Sequence, residues 1–119
     1  MKIKTSILAI CLITLFVSCS KDESVSIRVK NVSSYVYSSI EINGIKYNSL
    51  QSNQTSDYKL FENGAYSSGH IVVCVGSDTI ESFLYDVVGM DPLEHGNYTY
   101  EIGLVGQDTL QIHQECVAD

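Results

Sequence analysis

Short runs of alternating polar and apolar residues, separated by turn residues, constrain the fold of this chain more than any other feature. Residues 25–30, VSIRVK, alternate strictly, and residues 98–104, YTYEIGL, place their large apolar side chains on one face. Alternation of this kind is typical of β-strands with one buried side. After residue 18 no stretch follows a convincing helical period, so we predict an all-β fold.

Turn signals divide the chain into about seven or eight such strands. Asn43-Gly44 lies between two apolar runs and predicts a tight hairpin, because both residues readily adopt positive φ. The motif V-G-x-D-T-aliphatic occurs at residues 75–80 and again at 105–110, and predicts a type II′ hairpin tip in each copy. We therefore predict a single antiparallel β-sandwich over residues 25–119. The other predicted strands cover residues 35–42, 45–47, 57–61, 70–75, 79–85 and 108–113.

A leader precedes this region. Lys2 and Lys4 make a basic start, and residues 6–17, SILAICLITLFV, form an apolar run. The run is shorter than the ~20 residues of a membrane-spanning helix and suits the apolar region of a signal peptide. It ends in F-V-S-C, which resembles the lipobox of bacterial lipoproteins. The resemblance implies that residues 1–18 are removed and that Cys19 carries a lipid such as palmitate, which would anchor the chain to a membrane.

The residues after Cys19 form a predicted tether, residues 19–24. Ser20, Lys21, Asp22 and Glu23 resemble the export tether of Bacteroidota-type surface lipoproteins, in which a lysine followed by acids directs the protein to the outer face of the outer membrane. The resemblance implies a cell-surface location on the outer membrane. A periplasm-facing lipoprotein is the alternative.

Two cysteines remain after the leader and the lipid site. Cys74 and Cys116 are an even pair, and exported proteins enter an oxidising compartment. A disulfide between them would close a loop of about 40 residues and add roughly 3–4 kcal/mol. Two buried free thiols are the alternative.

Residues 93–102, LEHGNYTYEI, resemble the corner before a late strand of immunoglobulin-like domains. In that corner a tyrosine packs its ring inward and its hydroxyl bonds to the backbone. Tyr98 is the matching residue, and the resemblance implies an immunoglobulin-like or transthyretin-like sandwich.

Tyrosines and threonines supply the candidate surface sites. Tyr35, Tyr37 and Tyr47 would form an aromatic binding face for a glycan or a protein if they point outward, or part of the core if they point inward. Thr79 and Thr109 follow an aspartate and precede an aliphatic residue, which resembles the O-glycosylation acceptor of Bacteroidota-type exported proteins. Both motifs also suit a turn that leads into a strand.

Charge and motifs exclude several function classes. The formal net charge is −7, which disfavours nucleic acid as a partner. The three histidines lie in no recognisable catalytic motif, and the acids of residues 86–95 lack EF-hand spacing. We therefore predict a non-enzymatic binding, display or accessory module without a metal or cofactor. The alternative is a periplasmic inhibitor or chaperone of an envelope enzyme.

Overall fold

A computed structural model describes residues 24–82 and 90–119. Eight strands in these residues form two four-stranded sheets that pack together as a β-sandwich, as predicted. The described part of the chain contains no helix long and apolar enough to cross a membrane. The strands are β1 (Val25–Asn31), β2 (Ser39–Ile42), β3 (Ile45–Tyr47), β4 (Lys59–Phe61), β5 (Ile71–Val75), β6 (Asp78–Glu81), β7 (Gly96–Val105) and β8 (Gln111–Ala118).

The first sheet has the order β4-β1-β7-β8, and the second has the order β3-β2-β5-β6. Neighbouring strands are antiparallel, except that β1 and β7 pair in parallel. The chain crosses to the second sheet between these two strands, and this crossover permits the parallel pairing. Among the described strands, the edges of the sandwich are therefore β4 and β8 in one sheet, and β3 and β6 in the other.

The core lies between the sheets and follows the alternation of the sequence. Each fully buried aliphatic side chain contributes roughly 1.5–3 kcal/mol through removal from water. Polar residues occupy the outer face of β1, so this strand confirms the predicted half-buried pattern. The buried aliphatic residues of the central strands are Val25, Ile27, Val29, Ile40, Ile42, Ile71, Val73 and Ile102.

Three buried tyrosines, the core tyrosines Tyr37, Tyr47 and Tyr100, complete the core. The Tyr37 hydroxyl donates to the Ile102 carbonyl at 2.9 Å, and the Tyr47 hydroxyl donates to the Ile27 carbonyl at 2.7 Å. These bonds satisfy the polar end of each ring inside the core, which makes burial favourable. Tyr37 and Tyr47 therefore take the inward-pointing alternative, and the possible binding face does not include them.

The two copies of the repeated motif make different loops. In the first copy Val75 pairs with Asp78, and Gly76 has φ +58°, as a type II′ turn requires. In the second copy Val105 pairs with Gln111, so the loop has five residues and β8 begins later than predicted. Gly106 has φ +118°, and a Cβ atom there would lie 2.1 Å from the Thr109 carbonyl oxygen. Glycine is required at this close approach.

Of three local predictions, the structure confirms two and revises one. Asn43 and Gly44 have φ of 50° and 86°, which confirms the hairpin between β2 and β3. The Tyr98 ring packs against the core and its hydroxyl donates to the Glu94 carbonyl at 2.8 Å, as the corner resemblance implied. The predicted strand over residues 35–42 shortens to β2, because Tyr37 forms only an isolated bridge with Leu50.

Candidate functional site

A cleft of about 970 Å³ opens between β6 and the first residues of β8. We call it the edge cleft, and its lining is Tyr35, residues 78–82 and residues 107–112. Both copies of the repeated motif therefore contribute to one cleft. The sequence contained this signal as the repeat itself, but the repeat did not show that its copies face each other.

The strands on both sides of the edge cleft are sheet edges. Ile71 and Ser82 extend the register of β5 and β6. The Ser82 amide donates to the Ile71 carbonyl at 2.8 Å, so these two residues form a hydrogen-bonded pair of the ladder. Hydrogen-bonded pairs alternate along an antiparallel ladder. The backbone groups of Thr79 and Glu81 therefore point away from β5 and into the cleft. Within the described residues no strand pairs with this edge of β6.

The same reasoning applies to β8. The Asp119 amide donates to the Asn97 carbonyl at 3.0 Å, and these residues extend the register of β7 and β8. Hydrogen-bonded and non-hydrogen-bonded pairs alternate along the ladder from this pair, so the backbone amide and carbonyl groups of Ile112 point away from β7. The edge cleft therefore has outward-facing backbone groups on both of its sides.

The lining combines an apolar floor with an acidic rim. Ile80, Leu110 and Ile112 are half-buried, and Tyr35 at the rim is 41% exposed. Asp78, Glu81 and Asp108 supply three carboxylates, and none of the lining residues is basic. Such a surface attracts a ligand with positive charge and some apolar area.

A buried asparagine holds the loop that carries Tyr35 to the rim. The Asn31 side-chain amide donates to the carbonyls of Tyr35 at 2.7 Å and Leu50 at 3.1 Å. Its side-chain oxygen accepts from the Ser33 amide at 2.9 Å and from the Ser33 hydroxyl at 2.7 Å. Asn31 is 0% exposed, so these bonds form where water does not compete. Tyr35 is thus the one predicted binding-face tyrosine that remains on the surface.

Among the described residues, a segment of the chain covers the other side of the sandwich. Residues 50–58 run along it, where Thr55 bridges to Lys30 and the Ser56 amide donates to the Val29 carbonyl at 2.8 Å. This segment covers β1 beyond the short strand β4 and leaves only a polar depression of about 460 Å³. The chain thus protects this side itself, whereas no described segment covers the edge cleft.

The two candidate glycosylation residues both line the edge cleft. Thr79 lies in β6 and Thr109 lies in the five-residue loop, and both are exposed. The predicted lipid site and tether, Cys19 and Ser20–Glu23, lie outside the described residues.

The predicted disulfide is wrong, because Cys74 and Cys116 are free thiols. Residue parity explains the result. Ile71 and Val73 point into the core, so Cys74 points outward from the second sheet, whereas Cys116 packs against the core from the first. Hydrogen bonding with Ser39 and Thr79 lowers the pKa of the exposed Cys74 thiol, whereas burial raises the pKa of Cys116.

The described contacts of the three histidine rings are to carboxylate and backbone carbonyl oxygens. His70 Nε2 lies 2.5 Å from a Glu81 carboxylate oxygen, and His113 Nε2 lies 3.5 Å from Glu115. His95 Nδ1 lies 2.7 Å from a backbone carbonyl oxygen. Across residues 24–82 and 90–119, no three histidine, cysteine or acidic side chains form a cluster that could hold a metal ion.

Comparison with known proteins supports the architecture alone. No protein-family model matches the chain, and no curated protein matches it. Among solved structures, the chain is similar to the NMR structure of a protein from Eubacterium rectale, with a TM-score of 0.50 and 17% sequence identity. The similarity covers 79% of this chain and 92% of that chain. At this identity it concerns the fold, and it agrees with the two-sheet β-sandwich.

Proposed function

We propose that this protein is a lipid-anchored, non-enzymatic lipoprotein of the outer membrane that binds a partner through the edge cleft. The arrangement of the sandwich along β1 carries the proposal. β1 begins at Val25, directly after the predicted tether, and its seven residues extend for about 20 Å. β7 runs parallel to β1 and ends at Val105, beside the loop that lines the cleft. A lipid on Cys19 would therefore hold the domain by one end and present the edge cleft at the other.

The anchor can be tested by fractionation of cells that produce the Cys19→Ser variant. Loss of the lipid should move the protein from the membrane pellet to the soluble fraction, because the lipid supplies the membrane affinity. Cys74→Ser is the matched control, since it removes an exposed thiol and should leave the protein in the membrane. A washed membrane that still retains the Cys19→Ser protein contradicts the proposed anchor.

The side of the membrane can be tested by protease shaving of intact cells. We expect the domain to be lost from intact cells, while a periplasmic marker is retained. Replacement of Lys21, Asp22 and Glu23 by alanine should protect the domain until the outer membrane is broken. Protection of the unaltered protein would instead favour the periplasmic inhibitor or chaperone.

O-glycosylation at Thr79 and Thr109 is a second prediction about the same surface. A sugar on either residue would narrow the edge cleft, since both side chains are exposed at its lining. The intact mass of the mature protein tests this prediction. Thr79→Val and Thr109→Val should each remove the mass of the attached sugar, and the control Thr55→Val should not. A mass equal to that of the lipidated chain excludes the modification.

A further inference from the structure

We propose that the edge cleft binds an extended polypeptide segment with alternating basic and apolar side chains, which adds as a strand to β6. The inference rests on the proposed binding role and names the partner of the same site. It needs no particular membrane side, so the fractionation and shaving experiments above do not decide it.

The backbone of β6 supplies the first part of the argument. Thr79 and Glu81 present amide and carbonyl groups towards the cleft, as the ladder with β5 requires. An extended segment beside β6 would pair these groups at the usual strand spacing of about 4.8 Å. Proteins often protect such edges with charged side chains, lysine especially, or with proline. Residues 78–82, DTIES, contain no lysine or proline, and their charged groups are carboxylates, which a basic segment would match.

Side-chain alternation supplies the second part. A strand beside β6 continues its alternation, so every second side chain would point inwards between Ile80 and Ile112. Apolar side chains suit this half-buried floor. The intervening side chains would point outwards beside Glu81, whose carboxylate contacts the His70 ring and is 61% exposed to a second, basic group. Asp78, which shares the face of Ile80, and Asp108 add negative charge at the loop end of the cleft.

Charge also argues against a second copy of this chain as the occupant. The chain has a net charge of −7, and the cleft has no basic lining residue. Two copies joined at this edge would place like charges together, which disfavours association. A basic segment from another protein fits better.

Amide hydrogen exchange by NMR tests the proposal on the mature lipoprotein in phosphatidylcholine nanodiscs. The probe is a heptapeptide of alternating lysine and valine. At about ten times its Kd, it should slow exchange at Thr79 and Glu81 by about tenfold. The Ile80 amide is the internal control, because the ladder already pairs it with Val73 and its exchange should not change. Empty nanodiscs control for peptide that binds to lipid.

Matched variants test the role of charge through the Kd of the fluorescent peptide. Asp78→Asn with Asp108→Asn should raise the Kd about fourfold, since two rim charges are lost. Asp57→Asn with Glu62→Gln changes the net charge equally outside the cleft and should leave the Kd unchanged.

Several outcomes would overturn the proposal. Peptide that binds without slowing the alternate amides would show that no strand is added. Equal binding of a glutamate–valine heptapeptide, or of one interrupted by proline, would exclude recognition of basic charge or of the peptide backbone. Protection that rises with protein concentration alone would identify a second copy as the occupant. Failure of lysine–valine peptide to bind, in protein that fractionates with the membrane, would reject the named partner and leave the anchor intact.

Discussion

Replacement of Asn31 by alanine should destabilise the domain far more than replacement of a surface asparagine. Asn31 is fully buried, and its side chain makes three hydrogen bonds with the loop that leads to Tyr35 and a fourth with the Leu50 carbonyl. Three of the four partner groups keep another partner. The Leu50 carbonyl accepts from the Tyr37 amide, and the Ser33 hydroxyl remains within 3.3 Å of the Tyr35 carbonyl. The Ser33 amide alone would lose its partner.

The loss in the free energy of unfolding depends on how many buried groups lose their hydrogen-bond partner. A buried amide without a partner costs about 1–3 kcal/mol, and each bond whose partner keeps another contact costs less. The expected loss in the free energy of unfolding is therefore about 3 kcal/mol. A domain of this size changes its melting temperature by about 4–8 °C for each kcal/mol, so we expect a decrease of roughly 12–24 °C.

Urea unfolding followed by circular dichroism measures the effect. Asn48→Ala is the matched control, because Asn48 is exposed and its replacement should change stability by less than about 0.5 kcal/mol. Asn31→Asp keeps the acceptor but introduces a buried charge. Burial would raise the pKa of the new carboxyl group in the folded state, so the penalty should shrink as pH falls. An Asn31→Ala protein within about 1 kcal/mol of the unaltered protein would refute the reasoning.

Three further predictions concern ionisable side chains. In the folded protein, iodoacetamide should label Cys74 faster than Cys116. After denaturation without reductant, both cysteines should be labelled. If neither cysteine reacts in the denatured protein, the two form a disulfide. Burial raises the pKa of the core tyrosines, so the folded state retains their protons, and stability should fall as pH rises above the ordinary tyrosine value. Ultraviolet absorbance should show the phenolates of the core tyrosines only as the protein unfolds. Ionisation of these tyrosines in the folded protein at the ordinary tyrosine pKa would contradict this prediction. The Tyr58 hydroxyl, Thr99 and Arg28 lower the pKa of Asp119. The ionised Asp119 carboxylate therefore stabilises the folded protein at higher pH, and this contribution is lost as pH falls through the lowered pKa. NMR should show that Tyr58→Phe raises the pKa of Asp119, and an unchanged value would mean that the hydrogen bond does not act on it.

Local patterns predicted those parts of the fold that depend on neighbouring residues. β1 and β7 follow from strict alternation, because a strand directs successive side chains to opposite faces. The hairpin at Asn43-Gly44 follows from backbone conformations that these two residues adopt readily. Alternation did not show which face of a strand the core would cover. Tyr47 could therefore be predicted as a strand residue but not as a core residue.

The register of β8 shows what the local pattern could not decide. A two-residue loop at the second motif would have paired Val105 with Asp108 and directed Ile112 outwards. The observed pairing of Leu104 with Ile112 turns Ile112 and Cys116 towards the core. Burial of these side chains against the other sheet selects the five-residue loop, although both motifs have nearly the same sequence.

The sequence by itself determined the class of the fold and the strands with clear alternation, because each depends on residues close together in the chain. The leader and the tether remain predictions from the sequence. Only the tertiary structure decided that Cys74 points outward from the second sheet, whereas Cys116 packs against the core from the first. It also decided that β6 and β8 are both edges and that the two repeated motifs meet across one cleft. Strand order and register join residues far apart in the chain, and their energy comes from packing that no single segment contains.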